Sequence, residues 1–247
     1  MFSAKFRPAC VPSERRAPPF APSFEPRRAF YIFIRACLIV CCLVCAYSQQ
    51  AVVPTVSFTF DFPGSDPEHY VISVSEDGSA SYDSNGKLSP ESAGDSFHSE
   101  FTVSQATRAR IFDLAKRAHD FEGQIDSKSK NMAFTGTKTL TYKDAQKSTR
   151  ASYNYSPVPP VRELTALFQA LSNTLEFGHR LDYFLRYQKL ALDDELKKME
   201  QFSNSSELEE ISAVAPVLQK IVDDPAVIKV VRARAQHLLQ LAATGKR

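Results

Sequence analysis

An α+β fold, with an antiparallel sheet of five or six strands, helices on one face and a helical C-terminal extension, is predicted by three features of the chain. Val56, Phe58, Phe60 and Phe62 alternate with Ser57, Thr59 and Asp61, the period of a strand with one buried face. Two further pairs of short alternating segments flank polar turns, as antiparallel hairpins do. From Val161 onward the apolar residues recur at helical spacing instead.

The elements follow in order. After the first strand, Pro63-Gly64-Ser65-Asp66-Pro67 is a turn cluster. His69 to Ser75 and Ser79 to Asp83 flank Glu76-Asp77-Gly78, where Gly78 supplies the positive φ a tight turn demands. Residues 84–96 are a polar loop, and Phe97, Phe101 and Val103 mark another strand. Ser104 is placed to cap a helix carrying Ile111, Phe112, Leu114, Ala115, Ala118 and Phe121, with Gly123 at its stop. Met132, Phe134, Lys138, Leu140 and Tyr142 are expected on one face of the next strand, and Thr135, Thr137, Thr139 and Thr141 on the other. The turn Lys143–Lys147 returns the chain into Ser148 to Tyr155. Pro157, Pro159 and Pro160 end the strands, and the helical pattern then runs to about Met199, with a kink or break expected at Gly178. Two last helices are expected at about Glu207–Val222 and Pro225–Ala243, Pro225 starting the second.

The first 48 residues have a different character. A basic, proline-rich stretch precedes the apolar run Ala36 to Ala46, which has the length of a secretory h-region and is short of the ~20 apolar residues a membrane-spanning helix needs. Ala46-Tyr47-Ser48 presents small residues where signal peptidase reads, so cleavage is expected between Ser48 and Gln49. Seven Arg or Lys against two Glu in this leader hold its start on the cytoplasmic side. Arg27-Arg28 resembles a twin-arginine signal, although the strongly apolar core favours the general route. A lipid-anchoring cysteine is disfavoured, because Cys45 follows the bulky pair Leu43-Val44. The organisation read from the sequence is a signal peptide at 1–48, a linker at 49–53, an α+β domain at 54–178, a connecting helix at 179–204 and a helical hairpin at 205–247.

All five cysteines fall in the leader. The chain from Gln49 therefore offers no disulfide, no cysteine-ligated zinc or iron–sulfur cluster and no thiol nucleophile. Without the leader, 23 Lys and Arg stand against 26 Asp and Glu, a balance of about −3, so no basic footprint for nucleic acid is expected. Membrane contact is expected only through the leader, if it is retained. With eight glycines in the chain, no phosphate-cradling loop is evident, and no cofactor is expected.

Residues 56–177, with ISVSEDGSASY and TLTYKD in their hairpins, resemble uncharacterised exported bacterial α+β domains, a resemblance that implies the fold and an extracytoplasmic place but no activity. The segment DDPAVIKVVRARAQHLLQLA is similar to one HEAT-repeat helix pair, an Asp-Pro turn preceding Val, Arg and a small-residue stripe. Repeat stacks need about three units, so the resemblance implies a single capping hairpin with a surface for a protein partner.

No motif carries catalysis. Gly94-Asp95-Ser96-Phe97 imitates an esterase nucleophile block but lacks the preceding buried strand and any Asp-x-x-His. His98-x-Glu100 has deaminase spacing without the cysteine ligands. The histidines at 69, 98, 119, 179 and 237 show no paired metal spacing. The threonine ladder 135–141 reads as a solvated strand face, Tyr142, Tyr153 and Tyr155 as packing residues, and Asp193, Asp194, Glu195, Lys197, Lys198 and Glu200 as a solvated helix face. Asn204-Ser205-Ser206 is a sequon that matters only in a eukaryotic secretory host. The expected function is that of an exported, non-catalytic binding or interaction protein. The alternative is an extracytoplasmic hydrolase whose histidines and carboxylates converge only in three dimensions. The alternative requires a pocket holding at least two ionisable groups within hydrogen-bond reach.

Overall fold

Six strands pair antiparallel throughout: β1 (Thr55–Asp61), β2 (His69–Ser75), β3 (Ser79–Ser84), β4 (Phe97–Thr102), β5 (Thr137–Lys143) and β6 (Ser148–Tyr153). Their order across the sheet is β4-β3-β2-β1-β5-β6. The computed structural model describes residues 52–89, 92–129 and 131–244. The leader, with Cys45, Ser48 and Gln49 and the cleavage site expected there, lies outside the described residues. Among the described residues there are also five α-helices: α1 (Gln105–Arg117), α2 (Pro159–Tyr187), α3 (Leu192–Asn204), α4 (Ala215–Asp223) and α5 (Lys229–Thr244). The architecture is α+β, with helices on one face of the sheet and a helical C-terminal part.

The alternating pattern is what assigns the two faces. Tyr82, Ile72, Phe58 and Leu140 stand in one register row across β3, β2, β1 and β5, and all four are fully buried. Phe58 stacks on Phe168 of α2 with ring centroids 5.3 Å apart. Burying such a side chain contributes roughly 1.5–3 kcal/mol. On the opposite face the row is Glu100, Ser81, Ser73, Ser57, Thr141 and Arg150. Its hydroxyls bond to one another across strands: Ser57 to Ser73 at 2.9 Å, and in neighbouring rows Thr139 to Ser152 at 2.8 Å and Thr55 to Ser75 at 3.3 Å.

The buried residues form two clusters. The first comprises the sheet, α1 and α2 as far as Leu175; the second starts at Phe177 and includes the rest of α2 with α3, α4 and α5. One 29-residue helix thus roofs the sheet with its first half and anchors the helical part with its second. Residues 51–247 form one compact unit. Among the described residues no helix is long and apolar enough to cross a membrane.

Five local expectations are corrected. The strand expected from Met132 begins at Thr137, because Gly136 takes a φ of +95° and breaks the extended run; Phe134 is left exposed. Helix α1 ends at Arg117 rather than at Gly123, and the chain leaves it through His119, Asp120 and Phe121, all with positive φ. The long helix passes through Gly178 without a break and stops at Tyr187, where a 3-10 turn at Lys189–Ala191 leads into α3. Pro225 lies in a turn held by Asp224, whose Oδ1 accepts the Ala226 N–H at 2.8 Å, and α5 starts four residues later at Lys229. The preceding helix likewise starts late, a 3-10 turn at Ile211–Val214 coming before α4.

Candidate functional site

One flank of α2 presents Arg162, Ala166, Gln169, Asn173, Phe177, Arg180 and Phe184, residues three or four apart and hence on one side of a helix. Facing them are the ends of the strands and, farther along, α3. Three pockets of about 310, 420 and 510 Å³ line this flank in sequence. The first two share Ala166 and Gln169, and the last two share Asp66, Pro67, Asn173 and Phe202. They therefore form one trench. From Arg162 to Phe184 the helix rises roughly 33 Å at about 1.5 Å per residue.

Beneath the wide end sits Glu176, a carboxylate buried between helix and sheet. Its Oε1 accepts the Tyr82 hydroxyl at 2.8 Å and the Ser84 hydroxyl at 2.6 Å, and the Tyr82 hydroxyl also bonds Ser172 Oγ at 2.9 Å. Burial, reinforced by the Glu176 charge, pushes the Tyr82 phenol well above its ordinary value, so it remains a donor. Glu176 Oε2 is buried with no hydrogen-bond partner. The loop crosses close above it: a Cβ on Gly86 would lie closer than 3.0 Å to Oε2 and Cδ of Glu176, so a larger residue there must push the carboxylate aside.

His179, one turn on, stacks on Phe97 with centroids 4.0 Å apart and an interplanar angle of 5°. Its Nδ1, also buried and without a partner, is 4.0 Å from Glu176 Oε2, and its Nε2 is 3.9 Å from Asp95 Oδ2. Burial holds the imidazole below the usual histidine value, against the pull of Glu176 and Asp95. Farther along the trench Arg180 Nε bonds Glu195 Oε1 at 2.6 Å, and the Arg180 guanidinium lies over the Phe177 ring.

The motifs singled out in the sequence disperse. Ser96 of the Gly94–Phe97 block is exposed, whereas Asp95 and Phe97 meet His179. His69 and His237 pair with Asp61 and Glu200 respectively, and His98 pairs with Asp83 at 2.7 Å and more loosely with Glu100 at 4.0 Å. Among the described residues no group of three or more His, Cys, Asp or Glu could hold a metal ion. The threonines at 139 and 141 join the hydroxyl-rich outer face, and Tyr153 is buried with its hydroxyl 2.6 Å from Thr165 Oγ1. Tyr155, beyond the end of β6, is exposed and accepts from Arg162 at 3.1 Å. The run 193–200 is not a uniformly solvated face. Glu195 is buried against Arg180, while Asp193 and Glu200 bracket Arg234 of α5 at 3.0 and 2.6 Å.

Glu176 was not singled out by the sequence reading. The signal lay in its position: it stands eight residues after Phe168 and four after Ser172, on the helix side that packs against the sheet. The chain matches no protein-family model, and no curated protein is significantly similar to it.

Proposed function

We propose that this chain is an exported, non-catalytic binding protein whose ligand lies along the α2 trench. The observation that carries the reading is continuity. Three pockets that share lining residues make a channel about 33 Å long, enough for roughly ten residues of an extended polypeptide at about 3.3 Å each. An extended chain, rather than a compact metabolite, is the ligand shape that uses this length. The hydrolase reading draws on Glu176, which lines the trench, and His179, whose Nδ1 lies 4.0 Å from Glu176 Oε2. Both facing atoms are buried, and the serine nearest the carboxylate, Ser84, is itself buried while donating to it. A substrate would have to displace the Gly86 loop to reach them, which favours binding over hydrolysis.

A protein partner at the far helical end is a second reading, and it has its own observation. Tyr187, Leu190, Ile228 and Val230 are exposed, and the Lys189–Asp224 pair at 2.6 Å ties the α2–α3 turn to the turn before α5.

Site-specific photocrosslinking separates the readings. A photoreactive residue at Gln169 or Asn173 is expected to capture the ligand, and one at Ser57 on the outer sheet face is not. Capture from Leu190 alone moves the site to the helical end. Equal capture from Ser57 refutes the trench.

A further inference from the structure

At the narrow end of the trench the structure holds a lysine of an unusual kind. Lys138 lies on the core-facing side of β5 and is 6% exposed. Its Nζ donates to the carbonyls of Thr135 (3.0 Å), Gly136 (3.3 Å) and Asn154 (3.1 Å) and to the Thr135 hydroxyl (3.1 Å), and it sits 5.6 Å from the centroid of the Phe60 ring. Every acceptor is neutral. No carboxylate pairs with it among the described residues, and burial alone holds its ammonium below the usual lysine value. A buried charge is ordinarily matched by an opposite one. Here the match is missing.

The pocket of about 310 Å³ beside Lys138 carries a second cation, Arg162, and no acidic residue lines it. Arg162 is exposed at the rim, and among the described residues its guanidinium makes one hydrogen bond, from Nη1 to the Tyr155 hydroxyl at 3.1 Å, leaving the rest of the fork free. The remaining walls come from Tyr153, Tyr155, Ala166, Gln169 and Thr165.

We propose that this pocket binds a small organic carboxylate, with Arg162 gripping the carboxylate directly and Lys138 supplying the buried positive charge beneath it. Lys138 spends its three N–H groups on the protein, so its part is the field. The guanidinium fork matches the planar, two-oxygen geometry of a carboxylate. The tyrosine rings and Ala166 suit a carbon skeleton, and the volume exceeds what a bare inorganic anion fills. The site stands on its own residues and does not depend on an extended ligand occupying the trench.

The test uses fluorobenzoate and ligand-observed fluorine NMR with the purified full-length chain. Saturable binding is expected, with affinity weakened about tenfold in Arg162→Gln, the loss of one charge-assisted contact. It is expected to be unchanged in Arg150→Gln, which removes a cation from the outer sheet face, and the neutral isostere fluorobenzamide should not bind. Arg162 is exposed, so its substitution leaves the fold in place; Lys138→Met, which leaves the carbonyls of Thr135, Gly136 and Asn154 without this donor, is not needed. Absence of saturable binding, equal affinity in Arg162→Gln, or equal binding of the amide overturns the proposal. Displacement by inorganic phosphate at matching concentrations also overturns it, by making the ligand an inorganic anion.

Discussion

Gly178 decides how firmly the C-terminal helices are seated on α2. It lies in the middle of that helix, where replacing glycine with alanine ordinarily stabilises by about 1 kcal/mol. Here a Cβ would fall closer than 3.0 Å to Val214 Cγ1 and 3.2 Å from Val214 Cβ. Val214 is buried in the second cluster, and a β-branched side chain has little rotamer freedom with which to retreat. Overpacking of this kind costs about 1–3 kcal/mol. The steric term therefore outweighs propensity, and Gly178→Ala is expected to destabilise by up to about 2 kcal/mol rather than stabilise. Val214→Ala removes the nearest methyl and leaves only its Cβ at 3.2 Å, so in that background Gly178→Ala should recover part of its gain of about 1 kcal/mol. Urea denaturation of the two single variants and the double variant measures the coupling, expected at about 1–3 kcal/mol with little change in m. A stabilised Gly178→Ala with coupling near zero would refute the close approach of Val214 to α2.

Tyr82→Phe removes a donor from the buried Glu176 carboxylate and is expected to cost about 1.5–3 kcal/mol by the same denaturation assay. A loss near zero would mean that the node does not hold α2 to the sheet. Leu218→Ala and Leu238→Ala, both at fully buried positions, should each lose about 2–5 kcal/mol. Because the His179 imidazole is held below its unfolded value of 6.5, its uncharged form is favoured by folding. Stability from this group is present above that pH and is lost as pH falls from 6.5 through the folded value. Melting temperatures across this range should drop less steeply in His179→Gln, and identical profiles would contradict the burial of this ring. Mass spectrometry of exported protein is expected to find Gln49 at the N-terminus, an intact Met1 or a lipidated Cys45 being the contrary results.

Much of the fold was legible because its signals are local. The alternation in Val56–Phe62 specifies which face of β1 is buried, and Ser104 does cap α1, its Oγ accepting the Thr107 N–H at 3.2 Å. The hairpin at Glu76–Gly78 and the helical stripe after Val161 are likewise short-range patterns. What the sequence hid depends on partners far along the chain. Glu176 meets Tyr82 and Ser84 across more than ninety residues, and Glu210 reaches back to accept the Ser104 N–H at 2.9 Å. Gly178 reads as a helix breaker until Val214 is seen against it. Asp193 and Glu200 read as a solvated face until Arg234 is seen between them.

The same distinction explains why the candidate site lay outside any motif. A motif is a set of residues whose spacing along one element brings them together, whereas the trench takes one wall from α2 and the other from strand ends and α3. Its two notable charges differ in how they are satisfied. Glu176 receives hydroxyl donors and belongs to the joint between helix and sheet; Lys138 meets only neutral acceptors and lines one pocket with Arg162, which has no carboxylate partner among the described residues. A buried acid that is hydrogen-bonded on one oxygen is accounted for largely by stability. Two neighbouring cations lining a pocket with no carboxylate are not: bringing like charges together is unfavourable in the absence of an anion, and burying one of them adds to that cost. The imbalance at Lys138 and Arg162 is thus where this molecule has the most to gain from a ligand, and it is the end of the trench from which recognition would be expected to begin.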